Sequence, residues 1–257
     1  MFSLADIVAN RAWLRRENPF PHITAHNVFT ADFYAALADQ MTTILSRGLS
    51  ESPSRDRFSR SIPGYDSYGI GFHRPFEGPL SLFLTVSWRN MLSRLFGVGV
   101  TPYIFAGAHH HSPGSHNGFI HNDLNPTWFV RAEAGEIQTP HPDCSYRNGS
   151  GRFDEASKIE VVRGAVMIFF LLNDHWRPGD GGETALYASP NSPITEPAIC
   201  CPPENNSLVA FECTPRSYHT FLQNRRLPRT SIIMWVHRSV EEAAEKYGRE
   251  RLERWVS

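Results

Sequence analysis

The chain has 257 residues, of which 41% are hydrophobic and 12% aromatic, and its formal net charge is -1. This length and composition fit one globular domain, and we expect the whole chain, 1–257, to fold as one. The nearly balanced charge gives no overall attraction to nucleic acid or to anionic lipid. No apolar run reaches the roughly 20 residues that a membrane span needs. Composition therefore argues against a nucleic-acid-binding or membrane protein.

The cysteines and the N-terminal sequence indicate the cellular compartment in which the protein is expected. Cys144, Cys200, Cys201 and Cys213 show no CxxC spacing. The N-terminal sequence lacks the basic-then-apolar order of a secretory signal. We therefore expect reduced thiols in a cytoplasmic protein. No sequence feature predicts an oligomeric state.

Residues 1–98 are predicted to be a mostly helical support for the core that follows. Apolar residues at helical spacing predict an amphipathic helix over 3–17, which ends before Pro19. Alternating and β-branched residues over 19–29 then predict a strand.

Two further helices and one long segment follow. Thr30 is a candidate N-cap for a helix that runs from residue 31 to about residue 47. Another helix is predicted over about 79–95 from its apolar face. Between them, residues 48–78 are rich in Ser, Pro, Arg and Gly and are too long for an ordinary connection. This segment is either a surface excursion or a lid over a substrate site.

Beyond residue 98 the pattern changes to short strands separated by turn residues. Many short strands at this spacing favour a sandwich or double-sheet barrel over 99–238. A helix within 239–257 is predicted to cover it from outside. The predicted strands are 100–110, 117–123, 128–138, 159–172, 183–188, 207–212, 217–223 and 229–237.

The sequence GFIHND, residues 118–123, contains a candidate metal site. If it is a strand, its two-residue period places His121 and Asp123 on one face. Two histidines and one carboxylate form the facial triad that binds non-heme iron(II). The third ligand must then come from elsewhere in the chain. His219 in SYHTFLQ is the best candidate, and His175 and His237 are alternatives.

A buried cation is predicted ten residues after His219. On a strand, Arg229, Ser231, Ile233 and Trp235 share one face. An arginine turned into an apolar barrel is costly unless it meets an anion. A dicarboxylate cosubstrate would supply one, with Arg229 as a bidentate partner and Ser231 as a second donor.

Taken together, HND, then LLNDHWRPGDGGETALY, then SYHTFLQ and RTSIIMWVH resemble the prolyl-hydroxylase-type branch of the iron(II)- and 2-oxoglutarate-dependent dioxygenases. The resemblance covers about 100–238. It implies a mainly β fold with flanking helices (α+β), built on a double-stranded β-helix, the jelly-roll or cupin-like core. It also implies iron(II), 2-oxoglutarate and O2, with ascorbate as an accessory reductant.

Carried over position by position, the resemblance implies that His121, Asp123 and His219 are the iron ligands and catalytic residues. Arg229 is then the partner of the 2-oxoglutarate C5 carboxylate. The chain departs from the family at His111, which stands where many members have a tyrosine before Pro-Gly. His111 is therefore a candidate cosubstrate contact. Related halogenases replace the carboxylate with a small residue, so Asp123 favours hydroxylation.

The function expected from these residues is hydroxylation of an unactivated C–H bond in an amino-acid, peptide-like or other small biosynthetic substrate, with release of succinate and CO2. Desaturation and ring formation use the same chemistry. One alternative is a non-catalytic barrel that binds a metal or small anion as a sensor or scaffold. Another is a nucleic-acid demethylase, which the net charge of -1 disfavours. The segments 48–78 and 131–158 are predicted to form the mouth of the site.

Overall fold

The computed structural model describes residues 3–60, 65–73, 75–131 and 137–252. Within these ranges the α-helices are α1 (Leu4–Ile7), α2 (Ala31–Leu45), α3 (Val86–Phe96) and α4 (Val240–Tyr247). The strands are β1 (Leu14–Arg16), β2 (His22–Ala25), β3 (Leu49–Ser50), β4 (Phe58–Ser59), β5 (Tyr68–Gly71), β6 (Ile104–His111), β7 (Pro126–Val130), β8 (Lys158–Leu171), β9 (Thr184–Leu186), β10 (Ile199–Cys201), β11 (Ser207–Glu212), β12 (His219–Phe221) and β13 (Arg229–Ser239). Short 3-10 helices span Pro79–Leu84, Glu155–Ser157 and Arg249–Arg251.

The strands form two sheets that pack against each other. The larger sheet has the order β1-β2-β11-β8-β13-β6-β5-β4-β3, and β7 pairs with the first half of β8. The smaller sheet has the order β10-β9-β12. The predicted mainly β fold with flanking helices is confirmed.

Alternation along the central strands sends side chains into two cores. Ile232 and Met234 of β13 pack in the larger core, together with residues of α2 and α3. Ile233 and Trp235 point the other way, into a smaller core shared with β9 and β10. The candidate site lies on this second face.

The predicted helix over 3–17 is wrong beyond its first turn. α1 ends at Ile7, and β1 is an edge strand paired with β2. The Asn10 side chain accepts a hydrogen bond from the backbone N–H of Ala12, which makes a local turn that competes with a helix. The apolar residues have helical spacing, but the turn at Asn10 and the pairing of β1 with β2 determine the structure of this segment instead.

The two helices predicted next are confirmed in position. α2 begins at Ala31, although Thr30 makes no side-chain capping bond. The second is divided, because a 3-10 helix precedes α3. The break lies at Thr85, whose side chain accepts a hydrogen bond from the backbone N–H of Trp88.

The 48–78 segment is not one long loop. It contributes β3, β4 and β5 to the edge of the larger sheet, where β5 pairs with β6. Arg60 forms an ion pair with Asp66 at 2.8 Å. Residues 61–64 and 74 lie outside the described ranges. A role of this segment as a substrate lid stays a prediction.

Several strands and the C-terminal helix begin or end at residues other than those predicted from the sequence. Residues 117–123 form no strand beyond one isolated bridge, and β7 ends at Val130. β10 was not predicted. α4 ends at Tyr247 because Gly248 has a φ of 88°, and residues 253–257 lie outside the described ranges. The division into support, core and C-terminal helix stays a prediction.

The four cysteines are free thiols, as predicted. None of the helices in the described ranges is long and apolar enough to cross a membrane. The cytoplasmic location stays a prediction.

Candidate active site

Three side chains converge where a tight turn of the chain meets β12. His121 and His219 face each other in an antiparallel bridge, with backbone N–O distances of 3.1 and 2.8 Å. The Asn122 side chain then accepts from the backbone N–H of Leu124, and Asp123 takes a left-handed φ of 61°. Aspartate tolerates this conformation better than most residues. The turn therefore brings His121 and Asp123 together, and the strand alternation predicted for them is wrong.

The donor atoms of His121, Asp123 and His219 lie within 4.8 Å of one another. Each imidazole Nε2 is 3.6 Å from a different carboxylate oxygen of Asp123. The Nδ1 atoms lie 2.8 and 2.9 Å from the backbone carbonyls of Phe119 and Ser217. A carbonyl only accepts, so each Nδ1 carries the proton and each Nε2 presents a lone pair. The three side chains therefore fit the ligand set of a non-heme iron(II) ion.

Asp123 is held by two donors. Arg163 forms a buried salt bridge with Oδ1, and Trp235 Nε1 donates to Oδ2 at 2.8 Å. Burial would raise the pKa of Asp123, but Arg163 and the two imidazoles lower it below its usual value. The Arg163 guanidinium lies 3.9 Å from the centre of the Trp235 ring, and its Nε donates to Tyr146 at 3.2 Å. The carboxylate is thus ionised and fixed in orientation.

A β-bulge explains how Arg163 reaches the site. β8 pairs Ala165 with Val236 but Arg163 with His237, which leaves Gly164 as an extra residue. In regular alternation Arg163 would share the helix-covered face with Ala165, and the extra residue sends it to the opposite face. Sequence reasoning missed Arg163 because a period of two assigns it to the wrong face.

Arg229 is a buried cation in the same cavity. Its guanidinium donates to Ser231 Oγ at 2.9 Å and to Thr184 Oγ1 at 3.1 Å, while its Nε has no hydrogen-bond partner. None of the ion pairs found in the described part of the chain involves Arg229. Burial lowers the pKa of Arg229 to about 10, so it remains charged near neutral pH. A buried guanidinium with a free donor is completed by an anion.

The triad and Arg229 line one cavity of about 80 Å³. Ser231, Ile233 and Trp235 line it with Arg229, so the shared face predicted for these four residues of β13 is confirmed. Thr184 of β9 also lines it and was not predicted. The cavity therefore lies between the two sheets.

His111 lies beside this cavity but is not among the residues that line it. Its ring stacks on Phe221 with the centroids 3.7 Å apart, and its Nδ1 is 3.0 Å from the backbone carbonyl of Asp66. His109, on the same face of β6, lines the cavity instead, and burial lowers the pKa of His109 to about 4. A direct cosubstrate contact for His111 stays a prediction.

Tyr65, from the 48–78 segment, forms another wall of the cavity. Its ring centroid lies 5.5 Å from that of His111 and 6.3 Å from that of Phe119. A Cβ on Gly118 would come within 2.8 Å of Tyr65 Cε2, so this close approach requires glycine. Burial raises the pKa of Tyr65 to about 12, which leaves the phenol a neutral donor. The contact depends on long-range folding, and no local sequence signal predicts it.

Neither alternative third ligand belongs to the cluster. His175 is exposed in the loop after β8. His237 is buried elsewhere: its Nδ1 lies 3.0 Å from the Tyr103 carbonyl, and its Nε2 lies 2.8 Å from the Tyr146 hydroxyl. His219 is the histidine that joins His121 and Asp123.

Two buried histidines outside the triad predict a pH dependence of stability. Burial lowers the pKa of His237 to about 3 and that of His110 to about 4. In the unfolded chain both pKa values are about 6.5. Below about pH 6.5 the unfolded state therefore takes up protons that the folded state does not. The free energy of unfolding consequently decreases as the pH is lowered. Each group contributes a slope of up to roughly 1.4 kcal/mol per pH unit.

Denaturant unfolding of the metal-free protein at a series of pH values measures this slope. His237→Asn should flatten it by about one proton's contribution. The exposed His175 supplies the matched control, His175→Asn, which should keep the wild-type slope. Equal slopes for wild type and His237→Asn would show that the His237 pKa is not depressed.

A sequence model of the 2OG-Fe(II) oxygenase superfamily matches residues 127–237, which include His219 and Arg229. Over these 111 of its 257 residues the chain is similar to that superfamily. It is thus an oxidoreductase that uses iron(II), 2-oxoglutarate and O2. The match begins just after Asp123, so the placement of two triad residues rests on the geometry.

Solved structures place this oxygenase among folds of the prolyl-hydroxylase type. A prolyl-4-hydroxylase of Pseudomonas putida is 17% identical with a TM-score of 0.53, over 91% of this chain and 98% of that one. A prolyl hydroxylase of Trichoplax adhaerens, in complex with a hypoxia inducible factor peptide fragment, is 15% identical with a TM-score of 0.54, over 87% and 86%. At these identities the likeness shows the fold, and it confirms the predicted jelly-roll core. A search of curated protein sequences found no match.

Proposed function

We propose that this oxygenase hydroxylates an unactivated C–H bond of an amino-acid or peptide-like substrate, with release of succinate and CO2. His121, Asp123 and His219 bind the iron, and Arg229 binds the C5 carboxylate of 2-oxoglutarate. One observation carries the proposal: a single cavity holds three converging metal donors and a buried guanidinium with an unsatisfied Nε. Retention of Asp123 favours hydroxylation, because a carboxylate ligand leaves no place for a halide on the iron.

Around the metal, the role of the chain is to hold its ligands. Bound iron(II) and 2-oxoglutarate supply the O2 chemistry that oxidises the substrate. Arg163 and Trp235 fix both oxygens of Asp123. The carbonyls of Phe119 and Ser217 fix the tautomer and rotation of the two imidazoles. These contacts orient the three donors before the metal arrives.

At Arg229, the role of the chain is to bind a carboxylate away from water. Ser231 and Thr184 accept hydrogen bonds from the guanidinium, so their own hydroxyl protons remain for a carboxylate oxygen. Phe170 and Phe221 lie 5.0 and 5.4 Å from the guanidinium carbon and keep the surroundings apolar. A charge pair formed in such a site is stronger than one in water.

One observation supports an amino-acid or peptide-like substrate, and another argues against a nucleic-acid substrate. The Trichoplax adhaerens relative was solved with a peptide bound. The net charge of -1 gives no support to a nucleic-acid substrate. Hydroxylation of such a substrate by this chain is our proposal.

The test is binding followed by turnover. Without O2, 2-oxoglutarate should bind only together with iron(II). With O2 and no substrate, slow succinate formation should occur and should be lost in Asp123→Ala. If 2-oxoglutarate fails to bind in the presence of iron, the proposal is wrong. Binding without any O2 consumption under all substrates would instead indicate a sensor or scaffold.

Substitution of Tyr65 should have a smaller effect on the affinity for 2-oxoglutarate. Its neutral hydroxyl lines the cavity with Arg229, so Tyr65→Phe should weaken 2-oxoglutarate binding by about two- to tenfold, the value of one neutral hydrogen bond. Anaerobic titration of the iron-loaded protein measures this. Tyr68→Phe is the matched control, because Tyr68 lies in the same segment and bonds Glu51 instead. The same loss in both variants would mean that Tyr65 acts only through the segment.

A further inference from the structure

A second and larger chamber adjoins the metal cavity. Its volume is about 400 Å³, and His109, Arg163 and Trp235 line both spaces. Arg163 and Trp235 also hold the carboxylate of Asp123. The 48–78 segment supplies much of the remaining chamber wall. A molecule in the chamber that contacts Trp235 therefore lies next to the triad.

His109 stands at the boundary between the two spaces. On β6 it lies directly opposite Ser231 of β13 on one side and Gly69 of β5 on the other. Residues directly opposite each other on antiparallel strands share a face, so the imidazole and the Ser231 hydroxyl are neighbours. Gly69 also lines the chamber and has no side chain to cover the imidazole on that side. A molecule in the chamber can therefore reach the ring of His109.

The imidazole of His109 makes no hydrogen bond to any residue that the structure describes. The next two histidines of the strand differ in this respect. His110 bonds the hydroxyl of Thr230, and His111 bonds the backbone carbonyl of Asp66. A polar group withdrawn from water without a partner is costly, so a ligand that supplies a partner to His109 is favoured.

His109 is neutral near neutral pH. Burial, and then the charges of Arg229 and Arg163, lower the pKa of His109 to about 4. A neutral imidazole donates from one nitrogen and accepts at the other. The two guanidiniums disfavour a cationic ligand group, and a carboxylate only accepts, so it would leave the accepting nitrogen without a partner. An uncharged amide can both accept at its carbonyl and donate from its N–H.

We propose that His109 binds the primary substrate, and that its imidazole hydrogen-bonds an uncharged amide of a peptide-like molecule held in the chamber. This contact positions the carbon next to that amide towards the triad. The proposal rests on the hydroxylase function proposed above. It adds the residue that recognises the substrate and the chemical group that is recognised.

The experiment starts from wild-type protein already shown to bind iron(II) and 2-oxoglutarate, which separates it from the test of the function itself. The probes are N-acetyl-L-amino-acid N-methylamides, which imitate a residue inside a peptide, and free L-amino acids without a side-chain amide. Ligand-induced thermal stabilisation is measured without O2, and stimulated succinate release with O2. At least one N-methylamide should stabilise the protein and stimulate release, and its free amino acid should do neither.

Variants of His109 test the proposed contact. His109→Phe keeps an aromatic ring near Tyr65, whose centroid lies 6.2 Å from that of His109, but removes both nitrogens. It should raise KM for the stimulating amide by about five- to a hundredfold, the cost of a buried amide left without its partner. His109→Gln restores a donor and an acceptor and should recover part of this loss. His116→Gln removes an exposed histidine and should leave KM unchanged.

The affinity for 2-oxoglutarate separates the substrate contact from a cosubstrate contact. Anaerobic titration should give the same Kd for His109→Phe as for the wild type. A large loss of that affinity would overturn the proposal, because His109 would then contact 2-oxoglutarate. Wild-type KM in His109→Phe, free amino acids that stimulate as well as the amides, or no effect of any amide would overturn it too. If the phenylalanine variant does not fold, His109→Ala gives the same comparison without added volume.

Discussion

Substituting Asp123 with asparagine should weaken iron(II) binding by more than about a hundredfold, beyond the loss typical of residues that only support a ligand. Asparagine keeps the shape of the side chain and tolerates the φ of 61°, so the change is mainly the loss of charge. Iron-dependent binding of 2-oxoglutarate and succinate formation should be lost with it. Metal titration followed by anaerobic 2-oxoglutarate titration measures both.

The same substitution should also destabilise the metal-free protein. It leaves Arg163 as a buried cation without its counter-charge, which costs about 3–5 kcal/mol. The double variant Asp123→Asn/Arg163→Gln removes both charges and should recover part of that loss, while iron binding stays lost. If the double variant regains iron binding, Asp123 is not a ligand and the single variant failed through misfolding. The exposed Asp143→Asn is the control that should change neither quantity.

Substituting Arg229 with leucine should weaken 2-oxoglutarate binding without destabilising the metal-free protein. 2-Oxoglutarate affinity should fall by about 3 kcal/mol or more, at least a hundredfold in Kd. The metal-free protein should become no less stable, and even more stable, because Arg229 is a buried charge whose Nε has no partner. Thermal unfolding with and without iron and 2-oxoglutarate measures both effects.

Two further variants test the role of the Arg229 guanidinium. Arg229→Lys keeps the charge but loses the forked geometry, so it should retain part of the affinity. Arg225→Gln removes an exposed neighbour and should bind 2-oxoglutarate as the wild type does. A metal-free Arg229→Leu protein that unfolds much more readily than wild type would mean that Arg229 is structural.

Sequence reasoning predicted the site best where secondary structure is regular. β13 is an uninterrupted strand over its first half, and so the shared face of Arg229, Ser231 and Trp235 followed from alternation. His121 and Asp123 were selected correctly as neighbours, but for a reason that the structure contradicts. They meet through a turn with a left-handed residue, which a motif can mark and a strand period cannot describe.

The residues that were missed depend on irregular or distant structure. Arg163 enters the site because one extra residue in β8 reverses the alternation. Tyr65 comes from a segment whose composition suggested only an excursion or a lid. Its contact with the cavity exists because β5 joins the edge of the larger sheet. Neither arrangement has a local signature, and both require the tertiary fold.

The left-handed backbone at Asp123 bears on how this site can evolve. Alanine at that position would keep a backbone cost of roughly 1–2 kcal/mol, whereas glycine would adopt the conformation freely. A single Asp123→Gly change would therefore relax the turn while it removes the carboxylate. Arg163 and Trp235 Nε1, which grip that carboxylate now, would then face a space suited to a small external anion. A single substitution at residue 123 would therefore replace the Asp123 carboxylate, a ligand from the protein, with an exchangeable external anion.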